Sequence, residues 1–107
     1  MTEYTPPVSD ISFLLNEVLG FKSDIVDAET AEAVLEEAAK LARDVLAPLN
    51  HVGDEHGLKL ADDHSVTMPP GFKEAYEQYR DGGWNAVPFD EEFGGQGLPW
   101  ALAFGVQ

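Results

Sequence analysis

The sequence predicts an all-α chain, a helical piece of up–down bundle type, on three observations. Apolar residues recur at helical spacing in three separate stretches, and the longest, Ala28 to Leu46, contains no glycine or proline. The one long stretch without a sustained period, Gly57 to Met68, reads as a loop. Glycines and prolines otherwise fall between the periodic stretches, where helices begin and end.

Taken in order, Tyr4-Thr5-Pro6-Pro7-Val8 is expected to be extended, because each proline fixes φ and restricts the residue before it. Residues 1–9 thus form an arm. Ser9 or Asp10 caps a short amphipathic helix, Ile11–Leu19, whose stripe is Ile11, Leu14, Leu15, Val18 and Leu19, with Gly20 as its stop. The second helix takes Asp27 or Thr30 as cap and carries Glu29 and Glu32 in its first turn, at the positive end of the dipole. Its apolar stripe runs through Val34, Leu35, Ala38, Leu41, Ala42, Val45, Leu46 and Leu49. Glu36 and Lys40 form an i,i+4 pair off that stripe. Pro48 removes a donor and crowds the carbonyl four residues back, so the helix is expected to bend there and continue towards Gly53 or Gly57.

Pro69-Pro70 suits the start of a third helix, with Phe72, Ala75, Tyr76 and Tyr79 on one face and Gly82-Gly83 as its end. Trp84 to Phe89 is expected to be an extended connection. Asp90-Glu91-Glu92-Phe93 makes one helical turn before the loop Gly94-Gly95-Gln96-Gly97, whose glycines can take positive φ. That turn is expected to bring Trp84, Phe89, Phe93 and Trp100 onto the helices. After Pro99 a nearly all-apolar helix begins at Trp100 and reaches Gln107 without a stop signal or a polar face. A helix apolar all round is normally buried on every side, and one this short needs packing to form. The expectation is therefore a fragment, with the natural polypeptide continuing beyond Gln107.

Composition excludes several functions. Six Lys and Arg stand against 20 Asp and Glu, a formal charge of −14, which repels nucleic-acid phosphates and anionic lipids. There is no cysteine, hence no disulfide, thiolate metal site or thiol nucleophile, a composition suited to a reducing cytoplasm. No stretch has the ~20 apolar residues of a membrane span, and Met1-Thr2-Glu3-Tyr4 is not the start of a signal peptide.

The candidate chemistries fail one by one. His51 and His56 lie about 140° apart on a helix, too far for one metal, and no HExxH or calcium-loop pattern accompanies them or His64. Asp54-Glu55 and Asp62-Asp63 read as solvated charges, and Asp90-Glu91-Glu92 as an acidic first turn. No serine has a histidine at motif spacing. The glycine loop lacks a Walker lysine and the GxGxxG spacing, and no Lys or Arg follows Arg80. It reads as a tight turn, and no catalytic set is complete.

Four segments nevertheless occur in a telling order: Tyr4-x-Pro6-Pro7-x-x-Asp10-x-x-Phe13; Ala47 to Gly57 (APLNHVGDEHG); Val66 to Tyr76 (VTMPPGFKEAY); and Gly82-Gly83-Trp84 followed by Asp90 to Pro99 (DEEFGGQGLP). Together they resemble the N-terminal helical domain of acyl-CoA dehydrogenases over essentially all of residues 1–107. The first resembles the branch that includes 3-methylmercaptopropionyl-CoA dehydrogenases. The resemblance implies a flavoprotein oxidoreductase of the fatty-acid β-oxidation type. A later glutamate and FAD would introduce an α,β double bond into an acyl-CoA thioester, the flavin supplying the redox chemistry. It also implies that the catalytic glutamate and the main flavin-binding segments lie beyond Gln107. No catalytic residue or metal ligand is therefore assigned here, and this piece is expected to bind no FAD and to be inactive alone. Its expected partners are the remaining domains of the parent chain, acyl-CoA, and further copies in a cytoplasmic homo-oligomer, with no nucleic acid or membrane insertion. The residues expected to wall the acyl pocket or meet other domains are Phe93, Gly94, Gly95, Gly97, Leu98, Trp100, Leu102 and Phe104. The competing expectation is a stand-alone acidic helical module that docks a protein partner through its aromatic end.

Overall fold

A computed structural model describes residues 3–107; the first two residues of the expected arm lie outside the described ones. Its elements are α1 (Val8–Phe13), α2 (Ala28–Leu41), α3 (Ala47–His56), a hairpin of β1 (Lys59–Leu60) and β2 (Val66–Thr67), α4 (Phe72–Asp81) and α5 (Trp100–Val106). Two π turns extend α1 through Leu14–Val18 and join α2 to α3 through Ala42–Leu46. Two 3₁₀ turns, Trp84–Ala86 and Glu91–Phe93, lie between α4 and α5. The molecule is a slab measuring 53 × 38 × 17 Å, with a radius of gyration of 16.7 Å against about 13 Å for a compact domain of this length. The helices are thus spread in a flattened layer.

The core lies where α1, α2 and α5 meet: Val8, Leu15, Val26, Ala31, Leu35, Ala39 and Leu102, with Ile11, Val34, Leu98 and Val106 against them. Asp27 caps α2, its carboxylate accepting from the Thr30 backbone N–H at 2.7 Å. α2 passes through Pro48 into α3 and stops at Gly57, which has φ +62°. Before the proline, the Ala47 N–H bonds the carbonyl five residues back, on Ala42. Widening the turn there relieves the crowding that a proline imposes on the preceding carbonyls.

Several expectations are corrected. The arm ends at Pro7 and α1 starts at Val8, because its first turn hangs from the proline carbonyls: Val8 N–H reaches Pro6 O at 2.9 Å and Ile11 N–H reaches Pro7 O at 3.1 Å. Neither Ser9 nor Asp10 caps it. Leu14, Val18 and Leu19 are exposed, and so is Leu46. Each π turn inserts one extra residue, about 100° of rotation, and so moves later positions off the 3.6-residue stripe. Lys40 pairs with Glu37 at 2.8 Å rather than with Glu36.

The 57–68 stretch is not wholly loop, and the chain is not strictly all-α. Lys59 pairs with Thr67 and Leu60 with Val66. The connecting turn is held by Asp63, which accepts from the Ser65 N–H and hydroxyl, and His64 takes φ +70°. The pair of prolines precedes α4 rather than starting it. Pro69 O accepts from the Phe72 N–H, and Gly71, at φ +87°, turns the chain into the helix. The 84–89 connection coils as a 3₁₀ turn and a further turn, and Val87 within it is fully buried.

Candidate functional site

The most ordered feature near the expected site is the glycine turn. Asp90 caps the Glu91–Phe93 turn, its carboxylate accepting from the Glu92 N–H at 2.8 Å. From there every backbone donor is engaged. Phe93 and Gly95 donate to Asp90 O, Gly94 to Glu91 O, Gln96 to Ala86 O, Gly97 to Phe89 O and Leu98 to Val87 O, at 2.8–3.1 Å. Gly94 and Gly97 have φ of +85° and +63°, and a Cβ on Gly95 would run into the Phe89 carbonyl. The Gln96 amide closes the loop onto Gly83 O at 2.9 Å. A phosphate cradle needs free N–H groups. This turn has spent its own, and residues 81–107 contain no cation. The residues present therefore do not fit a flavin diphosphate by themselves.

The turn delivers α5 to the core edge-on. Leu102 is 0% exposed and inside the core cluster, so it is corrected from a candidate for an outward surface to a core residue. Gly105 permits the approach: a Cβ there would stand 3.1 Å from Ile11 Cγ2 and 3.2 Å from Leu35 Cδ2. Leu98 is half-buried against the same cluster. The other face of α5 points outward, with Trp100 57% and Phe104 76% exposed; Phe93, on the preceding turn, is 80% exposed. Phe89 meets Trp100 edge-to-face at 5.8 Å between ring centres, and Trp100 meets Phe104 at 6.3 Å. The expectation that Phe89, Phe93 and Trp100 pack down onto the helices is thus corrected, and only Trp84 is half-buried. Tyr79, Trp84, Pro88, Phe89, Trp100 and Phe104 line a shallow hollow of about 200 Å³ beside this face.

Sequence reasoning missed the fastening of this hollow. The Tyr79 hydroxyl donates to Gln107 Oε1 and Gln107 Nε2 donates to Trp84 O, both at 3.2 Å, tying α5 to α4. It also missed the larger opening of about 870 Å³ between the arm and the π turn at Ala42–Leu46. There the Arg43 guanidinium lies 2.9 Å from the Asp44 carboxylate, which raises its pKa.

The titratable groups elsewhere are surface groups. His51 contacts Glu55 at 3.1 Å, and no three His, Asp or Glu gather to hold a metal among the described residues. Asp27 and Asp63 titrate below the ordinary carboxylate value because backbone and side-chain donors of Thr30 and Ser65 favour their charged forms. No helix among the described residues is long and apolar enough to cross a membrane.

The flat helical layer thus presents an outward aromatic edge on α5. The chain resembles acyl-CoA dehydrogenases along nearly all of its own length. It is similar to 3-methylmercaptopropionyl-CoA dehydrogenase of Ruegeria pomeroyi, at 36% identity over 104 aligned positions, covering 90% of this chain and 17% of that protein. It is also similar to the broad-specificity linear acyl-CoA dehydrogenase FadE5 of Mycobacterium tuberculosis, at 32% identity, covering 99% of this chain and 19% of that protein. The chain therefore spans less than a fifth of the length of these relatives. No protein-family model matches it.

Proposed function

We propose that residues 1–107 form one domain, the N-terminal helical domain of an FAD-dependent acyl-CoA dehydrogenase that introduces an α,β double bond into an acyl-CoA thioester. In this reading the layer is one side of a helical unit completed by further polypeptide of the same chain. The outward face of α5, with Trp100 and Phe104, lies together with Phe93 of the preceding turn against that polypeptide and helps wall the acyl pocket. Leu98 and the turn at Gly94, Gly95 and Gly97 set its position. The catalytic base and the flavin site belong to the later segments, so the 107 residues alone bind no flavin and desaturate no acyl-CoA. The assembled enzyme is a homo-oligomer of the cytoplasm. One observation carries the reading: likeness to two acyl-CoA dehydrogenases along nearly all of this chain, combined with large aromatic side chains held outward on α5.

The surface area supports incompleteness. The accessible surface is 7705 Å², against about 5,900 Å² expected for a monomer of this mass. The difference of roughly 1,800 Å² exceeds one partner's share of a standard interface, ~800 Å². The test is to express the segment alone and within any longer product of its gene. Flavin absorbance and acyl-CoA-dependent flavin reduction are expected only in the longer product. Flavin bound stoichiometrically by the 107 residues, or a gene product that ends with them, overturns the proposal.

A further inference from the structure

Phe89, Trp100 and Phe104 form a run of touching rings on the outside of the molecule. The segment that carries them, residues 81–107, holds four carboxylates (Asp81, Asp90, Glu91 and Glu92) and no lysine or arginine. Asp90, Glu91 and Glu92 are exposed beside Phe89 and Phe93. Among the described residues none of these three forms an ion pair, and Arg80, the nearest cation in sequence, is held by Asp81 at 3.0 Å. Three exposed carboxylates thus follow Phe89 directly in the chain, on the turn that leads to Trp100, and among the described residues none of them is neutralised by an ion pair.

We infer that the polypeptide surface covering this face is an apolar hollow bordered by lysine or arginine, and that it is not a second copy of this chain. The inference rests on the reading that the α5 face is docked in a larger dehydrogenase, and it supplies the chemistry of the docking partner. Aromatic rings in water call for an apolar counterpart. Carboxylates left at the edge call for opposite charge, since like charges across an interface oppose association and opposite ones steer it. A second copy brings a further −14 of net charge and the same cation-free segment. It supplies the rings but not the counter-charge.

The experiment uses two synthetic amphipathic peptides with the same leucine face, one with lysine and the other with glutamate on its polar face. Binding to the chain is followed by fluorescence anisotropy across a salt series, with far-UV circular dichroism to confirm that every variant is folded. The lysine peptide is expected to bind at least about tenfold tighter than the glutamate peptide, with affinity falling as salt rises. The triple variant Asp90→Asn, Glu91→Gln, Glu92→Gln is expected to lose about tenfold in affinity for the lysine peptide. A control with the same charge change elsewhere, Asp54→Asn, Asp62→Asn, Glu74→Gln, is expected to lose less than about twofold. The double variant Trp100→Ala, Phe104→Ala is expected to abolish binding. If the double variant abolishes binding but the two triple variants behave alike, the docking face stands and the cationic partner is overturned. If the double variant binds normally, both readings fall. A dimer in sedimentation that Phe104→Asp dissociates also overturns the inference, in favour of a second copy.

Discussion

Two residues of one short helix, Leu102 and Phe104, separate core from contact surface, and truncating each to alanine tests the division. Leu102 is fully buried and belongs to the core cluster with Val8, Leu15, Val26, Ala31, Leu35 and Ala39. Its alanine variant removes three buried carbons, worth about 2.4 kcal/mol at ~0.8 kcal/mol each. The cavity left behind raises the cost to about 3–5 kcal/mol. A chain of this length has about 5–15 kcal/mol of stability in total, and this layer is thinner than most domains, so the loss is a large share of it. Phe104 is 76% exposed, with its ring 6.3 Å from that of Trp100. With about a quarter of a ~3 kcal/mol side chain buried, its truncation costs below about 1 kcal/mol. Urea denaturation followed at the helical circular dichroism band measures both variants. Leu102→Ala is expected to lower the midpoint strongly, and Phe104→Ala to leave it nearly unchanged while reducing binding of hydrophobic dyes. Equal losses would refute the assignment of inner and outer faces, and so would a larger loss at Phe104.

The turn and the caps give further expectations. Gly95→Ala forces a Cβ into the Phe89 carbonyl and is expected to cost upwards of about 2 kcal/mol, with a changed near-ultraviolet spectrum from Trp84 and Trp100. Gly94→Ala meets open space but keeps φ at +85°, so it costs only the left-handed penalty of about 1–2 kcal/mol, by the same denaturation assay. On acidification the sign follows from the lowered carboxylates. Asp27 and Asp63 titrate below 3.8, so the stability they contribute is complete above that value and disappears as pH falls through their folded-state pKa. Carboxyl chemical shifts in NMR titrations should show both midpoints below 3.8, and Thr30→Pro, which deletes the N–H donor to Asp27, should move that of Asp27 upward. Lys40 is expected to lose its contact when Glu37→Gln is introduced and to keep it in Glu36→Gln, as read from Nζ shifts.

How far the sequence could be read depended on where helical phase is preserved. The helices of residues 28–56 and 72–81 were legible because long apolar periods, an aspartate cap and terminal glycines agree. Phase was lost at the two π turns, where Val18, Leu19 and Leu46 face outward, against the simple stripe. Pro48 was a visible cause of the second irregularity, and no comparable signal marks the first. The hairpin was illegible because four exposed residues held by an Asp63–Ser65 turn carry no period long enough to count.

The candidate site was half legible, for a reason contained in α5. A helix apolar on all sides has no pattern to say which side faces the core, so Leu102 and Phe104 looked alike as outward candidates. The missing phase is held by Gly105. A glycine inside a helix costs stability unless something needs the space, and here Ile11 and Leu35 occupy it. Leu102 stands three residues before Gly105 and so shares its inward face, whereas Trp100 and Phe104, four apart, share another. Both pairs were present in the sequence. Weighing the one small residue above the large ones would have divided the helix correctly and left only the outward rings as the contact surface. The same logic makes Gly105→Leu the sharper perturbation of the whole assembly. It should push α5 away from α1 and α2, cost more than about 2 kcal/mol by overpacking, and displace the Trp100 and Phe104 rings together. Gly105→Leu with unaltered stability and unaltered tryptophan emission would show that α5 does not depend on that contact.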